Sequence, residues 1–401
     1  MTGRETRIYL DHNASAPLLP EARDAAVAAL SLANPSSTHR EGRAARTVCE
    51  AARRSVASLI GGSCAAVPIE NVIFTSGATE AATQLLSPTW LIDGHAATIA
   101  RLAVIETDHP ATREGGSFDP AAVTRLSVDR DGIVDLGELA RWAAAASVAE
   151  PGLLALSWAN SETGVIQPIA AIRQVIGDLP IRLVLDAAQV VGRLPIDLAA
   201  TGADAIILSG HKIGGMKGAG AIAVASLASR PYALMRGGGQ ERGMRAGTEA
   251  LPAIASFGAA AEAARMRFDE GHCELMDRRR FLERQIVARI PGAIILGKAA
   301  DRLPNTVAIV HPGIHAETAH IALDLDGIAV SAGSACSSGK VGASHVTAAL
   351  AKAGLPIDPA LGAIRVSFGH ETEETALERF LIAYERLARR AEARAAADVA
   401  A

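Results

Sequence analysis

No two cysteines of this 401-residue chain are spaced as CxxC, and there are four in all, Cys49, Cys64, Cys273 and Cys336. That argues against a zinc knuckle or a disulfide framework and leaves each as a reduced thiol. Basic residues are not in excess: 39 Lys and Arg stand against 43 Asp and Glu, a formal net charge of −4. No positive field draws in nucleic acid or an anionic membrane. The N-terminus, MTGRETRIYLDH, lacks the apolar centre of a signal peptide, and uncharged apolar runs such as residues 218–229 fall short of the roughly 18 residues that span a bilayer. A cytoplasmic protein is expected, with no direct nucleic acid and no membrane partner. Internal repeats and low-complexity linkers are absent as well. The stretch GGGQERGMRAGTE at 237–249 is glycine-rich, yet it matches neither GxGxxG after a strand nor the P-loop pattern, so a nucleotide loop is a weak reading.

What is present is a 49% hydrophobic chain long enough for two folding units. Between about residues 70 and 225, short apolar runs alternate with helical patterns, the rhythm of an α/β fold with a mostly parallel sheet. The predicted strands are NVIFTSG, LAVIETDH, LLALSWAN, IRLVLDAAQ, AIILSGHK and GAIAVAS; DLGELARWAAAA and PIAAIRQVIG read as helices between them. In an open α/β sheet the ligand crevice lies beyond the carboxyl ends of the strands, which places His109, Asn160, Asp186, Gln189, Ser209, His211 and Lys212 to face one cavity. A long helix from Pro252 to about Ile290 ends at Pro291-Gly292, the passage to a smaller α+β unit with strands GAIILG, NTVAIV, IAVSAGS and AIRVSFG and a closing helix from ETEETALERFL onward. Residues 8–10, IYL, are candidates to join that unit. The domain division is 14–260 for the large unit, and 1–13 with 261–401 for the small one.

Several side chains carry chemistry. Asp186 ends an apolar run, where it caps a following helix or pairs with a protonated ring nitrogen. Lys212 follows a strand; it is a snorkelling surface lysine or an amine nucleophile. Together the two match the protein's usual contribution to pyridoxal phosphate chemistry, a Schiff-base lysine and an acid that keeps the pyridine nitrogen protonated. FTSGATEAATQ offers a phosphate seat at a helix start, through the backbone N–H groups of Ala78 and Thr79 and the Thr79 hydroxyl, with Ser209 and His211 as further donors. His109 is either structural or a ring-stacking proton relay. Arg365 suits a substrate carboxylate or a buried ion pair. Cys336 lies in SAGSACSSGK, a run of small residues, as core filler or as a thiol that must move.

In order, YLDHNASAP, NPSSTHREG, FTSGATE, TDHPA, WANSETG, LDAAQVVGRLPIDL, LSGHKIGGMKG, GGGQERGMRAGTE, SAGSACSSG and SHV resemble the cysteine desulfurases of the NifS and IscS kind, in the class V aminotransferase group of fold-type I pyridoxal phosphate enzymes. The resemblance runs from residue 9 to about residue 369. It implies Lys212 as the Schiff-base lysine, Asp186 at the pyridine nitrogen, Gln189 at the phenolic oxygen and His109 as the stacking acid/base. It puts Ala78, Thr79, Ser209 and His211 on the phosphate, with Thr248 reaching in from the other subunit of a homodimer. Asn160 and Arg365, aided by Asn34, would receive the carboxylate of L-cysteine. Cys336 would take its sulfur as a persulfide and pass it to an acceptor protein, an iron–sulfur scaffold or a tRNA-thiolation carrier. This sequence departs from the pattern at Ser161, Met216, Ala81-Ala82-Thr83 and the VGASHV segment after Lys340. The rival readings are a class V aminotransferase or lyase without persulfide chemistry, and a catalytically silent binding homologue.

Overall fold

The computed structural model describes residues 7–62, 66–333 and 344–400. Strand β1 (Ile8–Tyr9) is followed by helices α1 (Pro20–Ala29) and α2 (Arg40–Ile60). Helix α1 opens on Pro20, whose missing N–H is no loss there, and the His39 ring accepts the Gly42 N–H to cap α2. On α2, Ala45, Cys49, Ala52, Val56 and Ile60 recur at helical spacing and are buried.

A run of alternating elements comes next: β2 (Val72–Thr75), α3 (Ala78–Leu85), β3 (Thr89–Ile92), β4 (His95–Thr98), β5 (Arg101–Ile105), α4 (Pro110–Arg113), β6 (Val123–Leu126), α5 (Leu136–Ala143), β7 (Gly152–Ser157), α6 (Ile169–Ile176), β8 (Ile181–Asp186), α7 (Leu198–Thr201), β9 (Ala205–Ser209) and β10 (Gly220–Val224). Seven of these strands form a sheet in the order β2-β10-β9-β8-β7-β5-β6. Within it β10 runs antiparallel to both neighbours and the other pairings are parallel. Helices cover both faces, so the central strands are largely apolar rather than alternating; every residue of β7 and β9 is buried. Leu154, Leu156, Leu183, Leu185 and Leu208 fill the core on one face; Leu153, Ala155, Val184 and Ile207, one residue out of phase, fill the core on the other.

After β11 (Arg230–Pro231), helix α8 (Leu251–Arg289) leads to β12 (Ile294–Ile295), β13 (Thr306–Val310), α9 (Ala316–Leu325), β14 (Ile328–Ala329), β15 (Ser331–Ala332), α10 (His345–Lys352), β16 (Ile364–Ser367) and α11 (Glu374–Ala400). Strands β12, β13, β16 and β15 make a four-stranded antiparallel sheet. β1 pairs with β14, so residues 8–9 do join these later elements. Helix α8 serves two cores: Phe257, Ala261 and Ala264 pack with the large sheet, whereas Leu275, Leu282 and Ile286 pack with the second cluster. It stops before Pro291, and Gly292 turns the chain at φ +78°.

Two expectations change, and one sheet is new. The run IAVSAGS is not one strand: it splits at Val330 into β14 and β15, which pair with β1 and β16 respectively. GAIILG shrinks to β12, because its flanks turn. A three-stranded sheet, β11-β3-β4, was not anticipated. Its sequence signal is Asp93-Gly94, a two-residue hairpin turn with φ of +50° and +82°.

Candidate active site

The parallel strands end along one edge of the large sheet, and the polar residues that follow them meet there. Lys212 sits on a short 3₁₀ turn after β9 and is half-buried. Its Nζ donates to the carbonyl oxygens of Asn13 (2.6 Å) and Ala14 (3.0 Å), both on the N-terminal segment. Asp186 ends β8. One of its oxygens accepts the Ala188 N–H at 3.0 Å, and the other has no hydrogen-bond partner among the described residues. Burial raises its pKa, with the charges of His109 and Lys212 opposing the shift. No helix follows Asp186; it braces a turn and keeps an oxygen in reserve.

Three residues on, Gln189 donates through Nε2 to the Asn13 carbonyl at 3.0 Å, the same oxygen that Lys212 uses. Its Oε1 accepts a short hydrogen bond from Arg193, whose Nη1 also donates to the Gln189 carbonyl at 2.8 Å.

The turn expected to seat an anion has a definite shape. Gly77 precedes α3, and a Cβ built there would meet nothing within 4 Å. The first-turn N–H groups of Ala78 and Thr79 have no helical acceptor at that end. Opposite, a Cβ on Gly220 of β10 would stand 2.6 Å from the Gly77 carbonyl carbon, so only glycine lets the turn pass this close. Glu80 in the first turn of α3 accepts the Ser76 N–H (2.8 Å) and pairs with Arg245 (3.0 Å), tying the turn to the 237–249 segment. Ser209 is buried at the end of β9. The ring of His211 faces the Ser15 hydroxyl at 3.2 Å; burial and the charge of Lys212 lower its pKa to about 4.

His109 caps α4: its Nδ1 accepts the Ala111 N–H at 3.1 Å, which leaves the ring proton on Nε2 in the neutral form. Asp108 beside it accepts N–H groups from Ile105 and Ser157, both at 2.7 Å, and joins β5 to β7. Burial pushes Asp108 up to about 7. Asn160 spends its side-chain oxygen on the Glu162 and Thr163 N–H groups and the Thr163 hydroxyl, and one N–H on the Thr107 carbonyl. Its first task is to build its own turn, with one amide hydrogen left over. Arg365 on β16 donates to the Ser161 carbonyl (2.9 Å), Asp11 (2.6 Å) and Ser331 (2.8 Å), while its buried Nε–H has no partner among the described residues. Of the two expectations for Arg365 the structure shows the ion pair, with Asp11, and leaves Nε–H without a partner among the described residues. The contacts to Ser161 go through its carbonyl, so serine at this position does not disturb them.

The sequence profile of the Aminotransferase class-V family matches residues 8–380. The chain belongs to the class V aminotransferase family. A cysteine desulfurase of Cereibacter sphaeroides is 39% identical over 384 residues, covering 94% of each chain. A solved NifS-like protein from Rickettsia africae ESF-5 superposes with a TM-score of 0.82 at 29% identity, covering 95% of this chain and 99% of its own. The cysteine complex of SspA superposes with a TM-score of 0.72 at 25% identity, over 90% of this chain and 99% of the other.

Class V membership implies pyridoxal phosphate as cofactor, on a fold-type I scaffold. The donor set fits that group: an amine at Lys212, a buried carboxylate oxygen in reserve at Asp186, an amide donor at Gln189, and a glycine-bordered helix start for the phosphate. Not everything converges. Thr248 and Asn34 are exposed, on segments that touch through Gln240 and Ser36 (3.4 Å); the Asn34 side chain accepts the Ser36 N–H at 2.8 Å. Cys336 and Lys340 lie outside the described residues. Glu162, Asp108, Arg193 and Asn13 went unassigned in the sequence. Glu162 is buried, accepts the Ser344 hydroxyl at 2.7 Å and rises to about 7 through burial, opposed by Ser344 and by the charges of Arg365 and His109. The signal for it was a charged residue inside WANSETG, between two apolar stretches.

Proposed function

We propose that the chain is a cysteine desulfurase that forms a persulfide on Cys336. The observation that carries this reading is the meeting of Lys212, Asp186 and Gln189 at one sheet edge, with an Asp186 oxygen in reserve for a protonated ring nitrogen. Bound there, pyridoxal phosphate supplies an electron sink for the carbanion at the substrate Cα. Asp186 holds the ring nitrogen and Gln189 donates to the phenolic oxygen. Ala78, Thr79, Ser209 and His211 take the phosphate. Arg365 neutralises the carboxylate of L-cysteine through its remaining N–H groups, and the spare amide hydrogen of Asn160 assists. Lys212 accepts the Cα proton, and His109 holds and moves a proton through Nε2.

The Cys336 thiolate attacks the substrate sulfur: an S–S bond forms as the Cβ–S bond breaks, and the carbon skeleton leaves as L-alanine. L-Cysteine and enzyme thiol become alanine and enzyme persulfide, with atoms and electrons balanced. The persulfide then passes to an acceptor protein, of iron–sulfur cluster assembly or tRNA thiolation. The exposure of Thr248 suits a homodimer in which it serves the partner's phosphate site, and Asn34 aids Asn160 and Arg365 at the substrate carboxylate.

The test is sulfide release from L-cysteine with a reductant. Wild type releases sulfide and alanine in equal amounts, Cys336→Ser keeps the visible cofactor band but loses release, and Lys212→Ala loses both. Undiminished release by Cys336→Ser would show that the nucleophile is elsewhere.

A further inference from the structure

Gln189 carries an amide whose two ends differ in hydrogen-bond character and hardly at all in shape. Something must decide which end faces the site. A guanidinium can only donate, so an amide facing it must present its oxygen. Arg193 does this from the next turn of chain, donating through Nη1 to Gln189 Oε1 and to the Gln189 carbonyl (2.8 Å), while Nη2 reaches the His12 carbonyl at 3.3 Å. With its oxygen occupied, the amide must turn its NH₂ the other way. There it donates to the Asn13 carbonyl at 3.0 Å, the oxygen that also receives Lys212 Nζ at 2.6 Å.

Two donors that share one acceptor stand side by side. In pyridoxal phosphate the phenolic oxygen is ortho to the carbonyl carbon that a lysine amine attacks. The group beside the lysine nitrogen is therefore the group beside the phenolic oxygen, and here it is an N–H donor with one hydrogen still to give. We propose that Arg193 is a positioning residue that locks the Gln189 amide with its nitrogen toward the cofactor, and so tunes the protonation of the loaded site. The proposal rests on the pyridoxal phosphate reading above. It explains why a cation is kept 7% exposed in the core, where burial and the charge of Arg365 pull its pKa down to about 9. It also explains why the residue is arginine: three carbonyl-type acceptors on two segments are spanned by a planar fork and not by a single ammonium.

The experiment is a pH titration of the visible absorbance of the holoenzyme. A donor to the phenolate weakens its hold on the proton of the neighbouring nitrogen, so losing that donor moves the midpoint upward. Arg193→Met and Arg193→Lys are each expected to raise it by about one pH unit, a tenfold change in proton affinity. Gln189→Leu should raise it similarly, and Arg193→Met with Gln189→Leu should go no further than Gln189→Leu alone. Gln189→Glu keeps an acceptor for Arg193 but gives up the hydrogen bond to the Asn13 carbonyl, so the fold should persist with a lower melting temperature while the midpoint rises; it decides the matter if the Arg193 variants do not fold. Variants that lose melting temperature with an unmoved midpoint would overturn the assignment, as would an unmoved midpoint in Gln189→Glu. A wild type that shows no visible band with pyridoxal phosphate would overturn the cofactor reading itself, a different result from a band that does not shift.

Discussion

The segment 237–249 holds its shape by an ion pair deep in the protein, and that pair can be taken apart. Arg53 on α2 and Glu241 meet in a two-pronged contact, Nη1 to Oε2 at 2.6 Å and Nη2 to Oε1 at 2.8 Å, with side chains 3% and 2% exposed. Glu241 also accepts the Phe74 N–H at 2.8 Å, Arg53 donates to the Val72 carbonyl at 2.6 Å, and the guanidinium lies 4.8 Å from the centre of the Phe74 ring. The pair thus anchors the segment to β2, just before the anion seat. It also holds Glu241 and Arg242 at φ of +45° and +56°, a left-handed conformation that costs non-glycine residues about 1–2 kcal/mol each. Glu241→Ala removes the two-pronged partner of a buried guanidinium and leaves it only Glu50, 3.2 Å from Nε, for which the loss is about 3–5 kcal/mol. At roughly 2.1 cal/mol/K per residue the unfolding entropy of a chain this long is about 0.8 kcal/mol/K, so the melting temperature should fall by about 4–6 °C. Arg53→Met, which leaves the Glu241 carboxylate without its partner, should fall by a similar amount. The double variant, measured by the same thermal scans, should lose little more than the worse single variant. If the two losses simply add, the residues do not act as a pair and the reasoning fails.

Glu162→Gln keeps an acceptor for Ser344 but removes a carboxyl that burial raises to about 7. A carboxyl raised in the folded state binds a proton that the unfolded chain has lost, so wild-type stability falls as pH rises from about 4.5 to 7. The contribution is of order 3 kcal/mol. Measured from pH 5 to pH 8, the melting temperature of the variant should gain on wild type by about 3–4 °C; a constant difference would show that Glu162 does not titrate there. Gly220→Ala should force the Gly77 turn aside, lowering stability by about 1–3 kcal/mol and weakening cofactor retention on dialysis; unchanged retention would remove the turn from the phosphate seat. Asn160→Ala unmakes the turn from 160 to 163 and, on the proposed function, removes one donor to the substrate. Both melting temperature and the KM for cysteine should suffer, and a change in KM alone would argue that the turn does not need the amide.

Much of this architecture is written along the chain. Apolar runs ending in Thr75, Ser157, Asp186 and Ser209 mark strands of a doubly covered sheet, because a strand buried on both faces needs hydrophobic side chains at every position. Lys212 and Asp186 were legible for the same reason: a charge at the end of such a run needs an explanation. Less was legible where pairing partners are distant. Val330 breaks one apolar run into two strands because β1 and β16, hundreds of residues apart in sequence, claim its halves. Asn160 read as a substrate ligand, yet most of its hydrogen-bonding capacity goes to residues within three positions and to Thr107. Arg53 and Glu241, 188 residues apart, gave no hint of one another.

The sequence by itself determined the class of fold, the order of the strand-end residues and the chemical types available, since periodicity and residue identity are local properties. Tertiary structure decided which of those groups share an acceptor and which way an amide points. The carbonyls of residues 12–14 serve Arg193, Gln189 and Lys212 together only because the N-terminal segment crosses the sheet edge, and no pattern along the chain encodes that meeting.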